Sequence, residues 1–179
     1  MRTYVLLNPA AGHSDPQEIR EQIAEKMPAP QWEVAIRHTT AEDDVAQLAR
    51  EAVAEGYELI CAAGGDGTVS HVVDALVGTD VLLGIIPAGT TNALAQALGI
   101  PREMEEAIEI IANPARRVKM DAMQVGESYY VLGVGVGLSA ITMEKTSREN
   151  KRRFGELAYV WTVVKQLMGW QPRHYTVEI

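Results

Sequence analysis

Residues Gly64, Gly65, Asp66, Gly67 and Thr68 form a GGDGT run directly after the apolar stretch Leu59–Ala63 and directly before a segment of helical periodicity. Glycines let a backbone come close to a ligand, and the N–H groups of such a loop, backed by a helix N-terminus, form an anion site that suits phosphate. An Asp inside the loop opposes a bound anion. It therefore asks for a positive partner, either Mg²⁺ carried on a nucleotide or the proton of a substrate hydroxyl. As a bare connection the same run reads as a tight turn with Thr68 capping the next helix; the Asp and the strand-to-helix setting favour the ligand reading. Two more loops carry similar chemistry. Asn8, Pro9, Ala10, Ala11 and Gly12 follow the first apolar strand, where a plain turn is the competing reading. Pro87, Ala88, Gly89, Thr90, Thr91 and Asn92 follow the fourth, with hydroxyls and an amide that suit phosphate or ribose, or else cap the helix beginning near Asn92. After the second strand stand Thr39 and Thr40; capping accounts for Thr40 and leaves Thr39 as the ligand contact.

These loops meet only if the elements between them form one open sheet, because ligands of such sheets sit at the carboxyl ends of the strands. The pattern predicts that sheet. Tyr4–Leu7 reads as a strand, and Asp15-Pro16-Gln17-Glu18 starts a helix with Ile19, Ile23 and Met27 on one face. Trp32–Ile36 reads as the second strand, and Thr40-Ala41-Glu42-Asp43 as a capping-box-like start for a helix carrying Val45, Leu48, Ala49, Ala52 and Val53. The third strand is Leu59–Ala63, followed by a helix with Val69, Val72, Val73, Leu76 and Val77. Val81–Ile86 is the fourth, followed by helices from Asn92 to Gly99 and over Glu103–Ala112. Continuously apolar strands separated by amphipathic helices point to a mostly parallel sheet covered on both faces.

The rhythm changes near residue 114. Val118–Val125 and Tyr129–Val136, separated by Gly126-Glu127-Ser128, predict an antiparallel hairpin. The expected organisation is a nucleotide-binding α/β domain over 1–116 and the start of a β-rich second domain over 117–179. That second part holds a short helix over Ser139–Lys145, a long apolar helix over Glu156–Met168 and a strand-like Tyr175–Ile179. In the long helix Leu157, Val160, Trp161, Val164, Leu167 and Met168 read as core ahead of a lipid-tail groove. A sheet that stops at its third strand invites pairing with another chain, so a homodimer is an expectation too.

Composition narrows the partners. Over 179 residues, 16 Lys and Arg face 24 Asp and Glu, a formal charge of −8, which opposes non-specific binding to nucleic acid or to an anionic membrane. The 21 uncharged residues from Val81 to Pro101 are long enough to cross a bilayer, but Pro87, Gly89, Thr90, Thr91, Asn92 and Gln96 interrupt them. One local exception is basic: Lys145, Arg148, Lys151, Arg152 and Arg153 surround a single acid, Glu149. This run reads either as a solvated connection or as a site for lipid headgroups. With a single Cys, Cys61, and no signal-peptide pattern, the expected compartment is the cytoplasm, with peripheral contact at the inner membrane face allowed. The four His and Cys61 show no metal-ligand spacing, and His38 reads as a surface residue.

Taken together, NPxxG at Asn8–Gly12, GGDGT at Gly64–Thr68 with the Val72-Val73 helix behind it, and GTTNALA at Gly89–Ala95 resemble the diacylglycerol kinase catalytic domain family, which includes sphingosine and ceramide kinases. The likeness continues through Met120-Asp121, Gly133–Gly137 and Phe154–Tyr159. GGDGT alone is shared with NAD kinases and is similar to the corresponding loop of phosphofructokinases. The resemblance implies transfer of the ATP γ-phosphoryl group to a lipid hydroxyl. It implies that Asn8 to Gly12, Thr39, Gly65, Asp66, Gly67, Thr68, Val69, Ser70 and Thr90 contact ATP, with Asp66 at the Mg²⁺ and phosphate centre. Gly64, Gly89, Thr91 and Asn92 complete the expected nucleotide site. Ala93 follows the motif Asn, as in the sphingoid and ceramide branch, where diacylglycerol-type members usually carry an acid; His71 stands where Glu is common. In the family the second domain extends further and supplies an acidic general base and an aspartate of a structural Mg²⁺ site, so negligible turnover by these 179 residues alone is expected. The rival readings are a soluble NAD kinase relative, disfavoured by GTTNALA, and a nucleotide-binding module without catalysis.

Overall fold

A computed structural model describes residues 1–12 and 15–133. Four strands, β1 (Arg2–Leu7), β2 (Glu33–His38), β3 (Leu59–Gly64) and β4 (Leu82–Pro87), form a parallel sheet in the order β2-β1-β3-β4. The connections are α1 (Pro16–Lys26), α2 (Val45–Ala54) and α3 (Asp66–Leu76); α4 (Ala93–Ala97) and α5 (Met104–Ala112) follow β4. This is the mixed α/β, parallel-sheet architecture that the alternation of apolar runs and amphipathic segments predicts.

Alternation along each strand explains the two layers. Leu6, Ile60, Ala62 and Ile85 point to one face, where they pack with Ala49 and Ala52 of α2, Val69, Val72, Val73 and Leu76 of α3, and Leu94 of α4. Their neighbours Val5, Leu7, Leu59, Cys61, Ala63 and Ile86 point the other way, against Ile19 and Ile23 of α1 and Ile108 of α5. Strands buried on both faces need apolar residues at every position, which is why these runs do not alternate with polar residues. Each fully buried Leu or Ile contributes about 1.5–3 kcal/mol relative to exposure.

Helix starts follow local capping, with one departure from expectation. Asp15 caps α1 by accepting from the Gln17 N–H at 2.8 Å, and Pro16 takes the first helical position. In α2 the cap is Asp44, which accepts from the Gln47 N–H at 2.9 Å, so Thr40 does not cap this helix. The reason is Asp43. Its carboxylate accepts from the Thr40 N–H at 2.6 Å and the Thr40 hydroxyl at 2.9 Å and pairs with Arg37 at 3.3 Å, closing residues 40–43 into a turn. The Thr40 N–H, followed by its hydroxyl, holds the Asp43 carboxyl below the usual carboxylate range.

The hairpin is present but shorter than its sequence suggests: β5 (Met123–Val125) pairs antiparallel with β6 (Ser128–Tyr130). Asp74 of α3 fastens it, accepting from the Tyr129 N–H at 2.8 Å while its other oxygen lies 3.5 Å from Arg50 of α2. The compact unit runs from Met1 to Leu132 and so includes this hairpin; a second unit begins at Gly133. Expectations for residues past Gly133 lie outside the described residues. These are the end of the Tyr129–Val136 run, the helices over Ser139–Lys145 and Glu156–Met168, the basic run 145–153 and the strand-like Tyr175–Ile179. Among the described residues no helix is long and apolar enough to cross a membrane.

Cys61 lies at the centre of the sheet, fully buried, and burial pushes its thiol up to about 12. A buried neutral thiol is unreactive. A thiol-specific reagent at pH 8 is expected to modify Cys61 only in denaturant; modification of the native protein at the rate of a free thiol would mean that the centre of the sheet is open.

Candidate functional site

The chain moves from β1 outward to β2, then crosses to β3 and continues outward to β4, so the direction of winding reverses between β1 and β3. Outside the carboxyl ends at such a reversal the loops diverge and leave a crevice. Asn8–Gly12 follows β1, and Gly65 joins the end of β3 at Gly64 to the start of α3, which places two of the three expected loops at that crevice. Pro87–Asn92, after β4, closes its flank.

The three loops are sewn to one another. Asn8 Oδ1 accepts from the Ala10 N–H at 3.0 Å to form its own turn, and Asn8 Nδ2 donates to Thr68 Oγ1 at 3.3 Å. Gly12, at φ +61, lies so close to the third loop that a Cβ there would stand 2.0 Å from the Ala88 carbonyl oxygen. A Cβ on Gly89 would stand 2.5 Å from Gly65 Cα, so the second and third loops touch backbone to backbone. The Ala88 N–H donates to the Gly64 carbonyl at 3.0 Å. Asp66 Oδ1 accepts from the Ala93 N–H at 2.6 Å.

Asp66 therefore has a structural task that its residue type did not announce. It occupies the first position of α3 and reaches the first N–H of α4, so two helix N-termini converge on one carboxylate. Helix N-termini favour a negative charge, so the carboxylate already has positive partners in the backbone. Its second oxygen, Oδ2, has no hydrogen-bond partner among the described residues.

Gly65, not Thr68, caps α3, and it offers no side chain. The first helical bond runs from the Val69 N–H to the Gly65 carbonyl at 3.1 Å, so the N–H groups of Asp66, Gly67 and Thr68 have no acceptor among the described residues. Gly67 is exposed, and a Cβ on it would meet nothing within 4 Å. Three orphan N–H groups at an open helix start are the chemistry of a phosphate site.

Other expected contacts fall into three groups. Pro9, Ala10, Gly12, Thr90 and Thr91 are exposed at the loops, and Ala11, Ser70 and Gly89 are half-buried. Asn92, in the left-handed region at φ +50, is 9% exposed and spent: Oδ1 accepts from the Gly89 N–H at 3.0 Å and Nδ2 donates to the Gly89 carbonyl at 2.6 Å. It shapes the loop and makes no side-chain cap to α4. Val69 and Thr39 are turned inward. The Val69 side chain belongs to the core under α2 and its N–H is taken by Gly65, so it presents neither group to the crevice. Thr39 is 3% exposed, with its hydroxyl 3.5 Å from the Leu7 carbonyl. Two participants escaped the motif reading, the Ala88 carbonyl and the Ala93 N–H. Both are backbone groups, for which side-chain identity carries no signal.

For a metal, the donor set is sparse: among the described residues no three His, Cys, Asp or Glu side chains cluster. One free carboxylate oxygen beside a phosphate site fits Mg²⁺, which usually takes one or two carboxylates, water and substrate phosphates.

The pattern of the diacylglycerol kinase catalytic domain matches residues 2–125. A diacylglycerol kinase of Bacillus subtilis (strain 168) is 35% identical over 182 residues, covering 99% of this chain and 59% of its own. A probable lipid kinase YegS-like of Pseudomonas syringae pv. syringae is 32% identical over 148 residues, covering 82% of this chain and 48% of its own. The crystal structure of a diacylglycerol kinase from Bacillus anthracis str. Sterne superposes with a TM-score of 0.61 at 28% identity, over 72% of this chain and 45% of that one. The chain thus spans about half the length of the relatives it matches.

The backbone contacts make the glycines unequal. Gly12→Ala combines a left-handed φ with a clash against a carbonyl and is expected to cost about 1–3 kcal/mol, whereas Gly67→Ala, in open space at a helix start, should leave stability within about 1 kcal/mol of the parent. Urea unfolding of the two variants checks this. Equal midpoints would mean that the first and third loops do not pack as described.

Proposed function

The chain belongs to the diacylglycerol kinase catalytic domain family, and from that premise we propose that it acts as an ATP-dependent lipid kinase, passing the γ-phosphoryl group to a lipid hydroxyl. The observation that carries this reading is the start of α3 at the carboxyl end of β3, where three N–H groups and one carboxylate oxygen have no partner among the described residues. Phosphoryl transfer needs positioning and neutralisation of phosphate oxygens more than covalent participation by the protein. The Asp66, Gly67 and Thr68 N–H groups would hold phosphate oxygens, Gly67, with open space around it, would let them approach, and the Thr90 and Thr91 hydroxyls would complete the rim. Mg²⁺, held through the nucleotide at Asp66 Oδ2, would supply charge neutralisation. Ala93 after the motif Asn favours a sphingoid or ceramide-like acceptor over diacylglycerol. The Bacillus relatives are diacylglycerol kinases by name and favour diacylglycerol, so a lipid panel is the direct arbiter. We further propose that the five cations of 145–153 dock lipid headgroups at the inner membrane face, and that residues 1–116 form the nucleotide half of the enzyme.

Asp66→Asn is the cleanest test, because an amide oxygen can still accept from the Ala93 N–H while the charge is removed. Asp66→Ala also cuts the tie between the second and third loops. In the full-length protein, with radiolabelled ATP and a panel of diacylglycerol, sphingoid base and ceramide, Asp66→Asn is expected to lower Mg-dependent phosphorylation by about 100-fold or more, the scale of losing one charge-stabilising group, with an unchanged thermal midpoint. Full turnover by this variant would remove Asp66 from the catalytic centre. Nucleotide binding by the full-length protein without phosphorylation of any lipid would favour a non-catalytic nucleotide-binding module.

A further inference from the structure

In the order β2-β1-β3-β4, β2 stands at the edge of the sheet, and β1 is its one strand partner among the described residues. The Glu33 N–H donates to the Met1 carbonyl at 3.1 Å and the Thr39 N–H to the Leu7 carbonyl at 2.8 Å, so the odd-numbered residues along this strand bond inward to β1. Backbone groups of alternate residues in a strand point to opposite edges. The N–H and C=O groups of Val34, Ile36 and His38 therefore point outward, and an edge of that kind is a template for another strand. Charge is the usual protection of such an edge, and β2 carries Glu33 and Arg37, both exposed and of opposite sign.

Backbone and charge together restrict how a second copy pairs. In an antiparallel pair about a two-fold axis, outward-bonding residues must face outward-bonding residues, so even-numbered positions oppose even-numbered ones. An axis at Ala35 sets Val34 opposite Ile36 of the partner subunit, an apolar pair that exchanges both backbone bonds, and the symmetry repeats it. Both side chains are half-buried against the α1 layer, so this pairing extends an existing apolar face. The same axis sets Glu33 opposite Arg37 of the partner subunit, again twice, at the non-hydrogen-bonded positions where side chains stand closest. An axis at Val34 or Ile36 gives neither charge an opposite partner, and an axis at Glu33 or Arg37 sets like charges face to face. Both groups have atoms to spare. Arg2 lies 3.3 Å from Glu33 Oε1 and Asp43 lies 3.3 Å from Arg37 Nη2, which leaves Glu33 Oε2 and the other guanidinium nitrogens, on side chains that are 70% and 51% exposed.

We propose that β2 is a homodimerisation edge, through which two copies pair antiparallel about Ala35 and join two four-stranded sheets into one of eight strands. The contact uses the same edge of both copies, so the assembly closes at two. Because the joined strands run in opposite directions, the carboxyl ends of the two sheets, and the loops on them, point away from each other. This edge is separate from the strand-like 175–179, and the pairing is independent of the catalytic reading.

The test is analytical ultracentrifugation of the full-length protein, of Glu33→Arg, of Arg37→Glu and of the double variant that carries both, with thermal melts to check that each folds. Either single reversal places two like-charged pairs across the axis and is expected to weaken dimerisation about tenfold or more, the scale of losing two cross-strand charge pairs. The double variant restores opposite pairs and is expected to return to within about threefold of the parent. Site-resolved hydrogen exchange on the parent gives a second readout that needs no variant: raising the protein concentration is expected to slow the Val34 and Ile36 amides and leave those of Ala35 and Arg37, already bonded to β1, unchanged. A monomeric parent would overturn the proposal. So would a dimer that neither reversal weakens, a loss that the double variant does not recover, or a dimer whose Val34 and Ile36 amides exchange at the same rate at every concentration.

Discussion

Backbone against backbone, with no side chain between, is the constraint on which the crevice depends. Gly12 meets the Ala88 carbonyl and Gly89 meets Gly65, each at a separation where a Cβ would collide. The parallel sheet brings the three loops to one edge, but at the strand spacing of about 4.8 Å they would remain separate turns without those contacts. Removing the Cβ lets the loops close, and closure brings the N–H of Ala93 within reach of Asp66. The polar ties from Asn8 to Thr68 and from Asn92 to Gly89 then hold the closed form.

That order of causes explains what was legible in the sequence. The sheet and its layers could be read because doubly buried strands must be apolar throughout and their helices must carry one apolar stripe. Which loops mattered was also legible, since glycine and hydroxyl residues after parallel strands fall at the same edge. The division of labour inside the loops was not. Asn8, Thr68 and Asn92 have the residue types of ligand contacts, yet their side chains hold the loops together. The phosphate chemistry falls to N–H groups that any residue type supplies. Val69 directly follows GGDGT, but a helix turns successive residues through about 100°, which sends it to the core. The start of α2 was misplaced for a related reason: Thr40 and Asp44 are both good caps by type, and the Asp43 carboxylate, which takes the Thr40 N–H and hydroxyl and pairs with Arg37, decides between them.

Asp66 joins the structural and chemical levels. A carboxylate at the first turn of α3 looks like a liability in an anion site until its partner is seen to be the N–H at the start of α4. One oxygen spent on closure leaves the other without a partner among the described residues, at the helix start that also carries the N–H groups of Asp66, Gly67 and Thr68, so a single side chain both shapes the site and lends it charge. The same helix carries Asp74 two turns further on, and there the carboxylate is spent entirely on structure, between the Tyr129 N–H and Arg50. At about 100° per residue, Asp66 and Asp74 lie about 80° apart around α3, both to one side of the stripe of Val69, Val72, Val73 and Leu76 that anchors the helix to the sheet. Because that stripe fixes the rotation of α3, it also fixes where both carboxylates point. A core substitution that let α3 roll would therefore move the loop at one end and the hairpin at the other together, although neither contains a core residue of the helix. The apolar spacing along α3 is thus part of the site's geometry as much as GGDGT is.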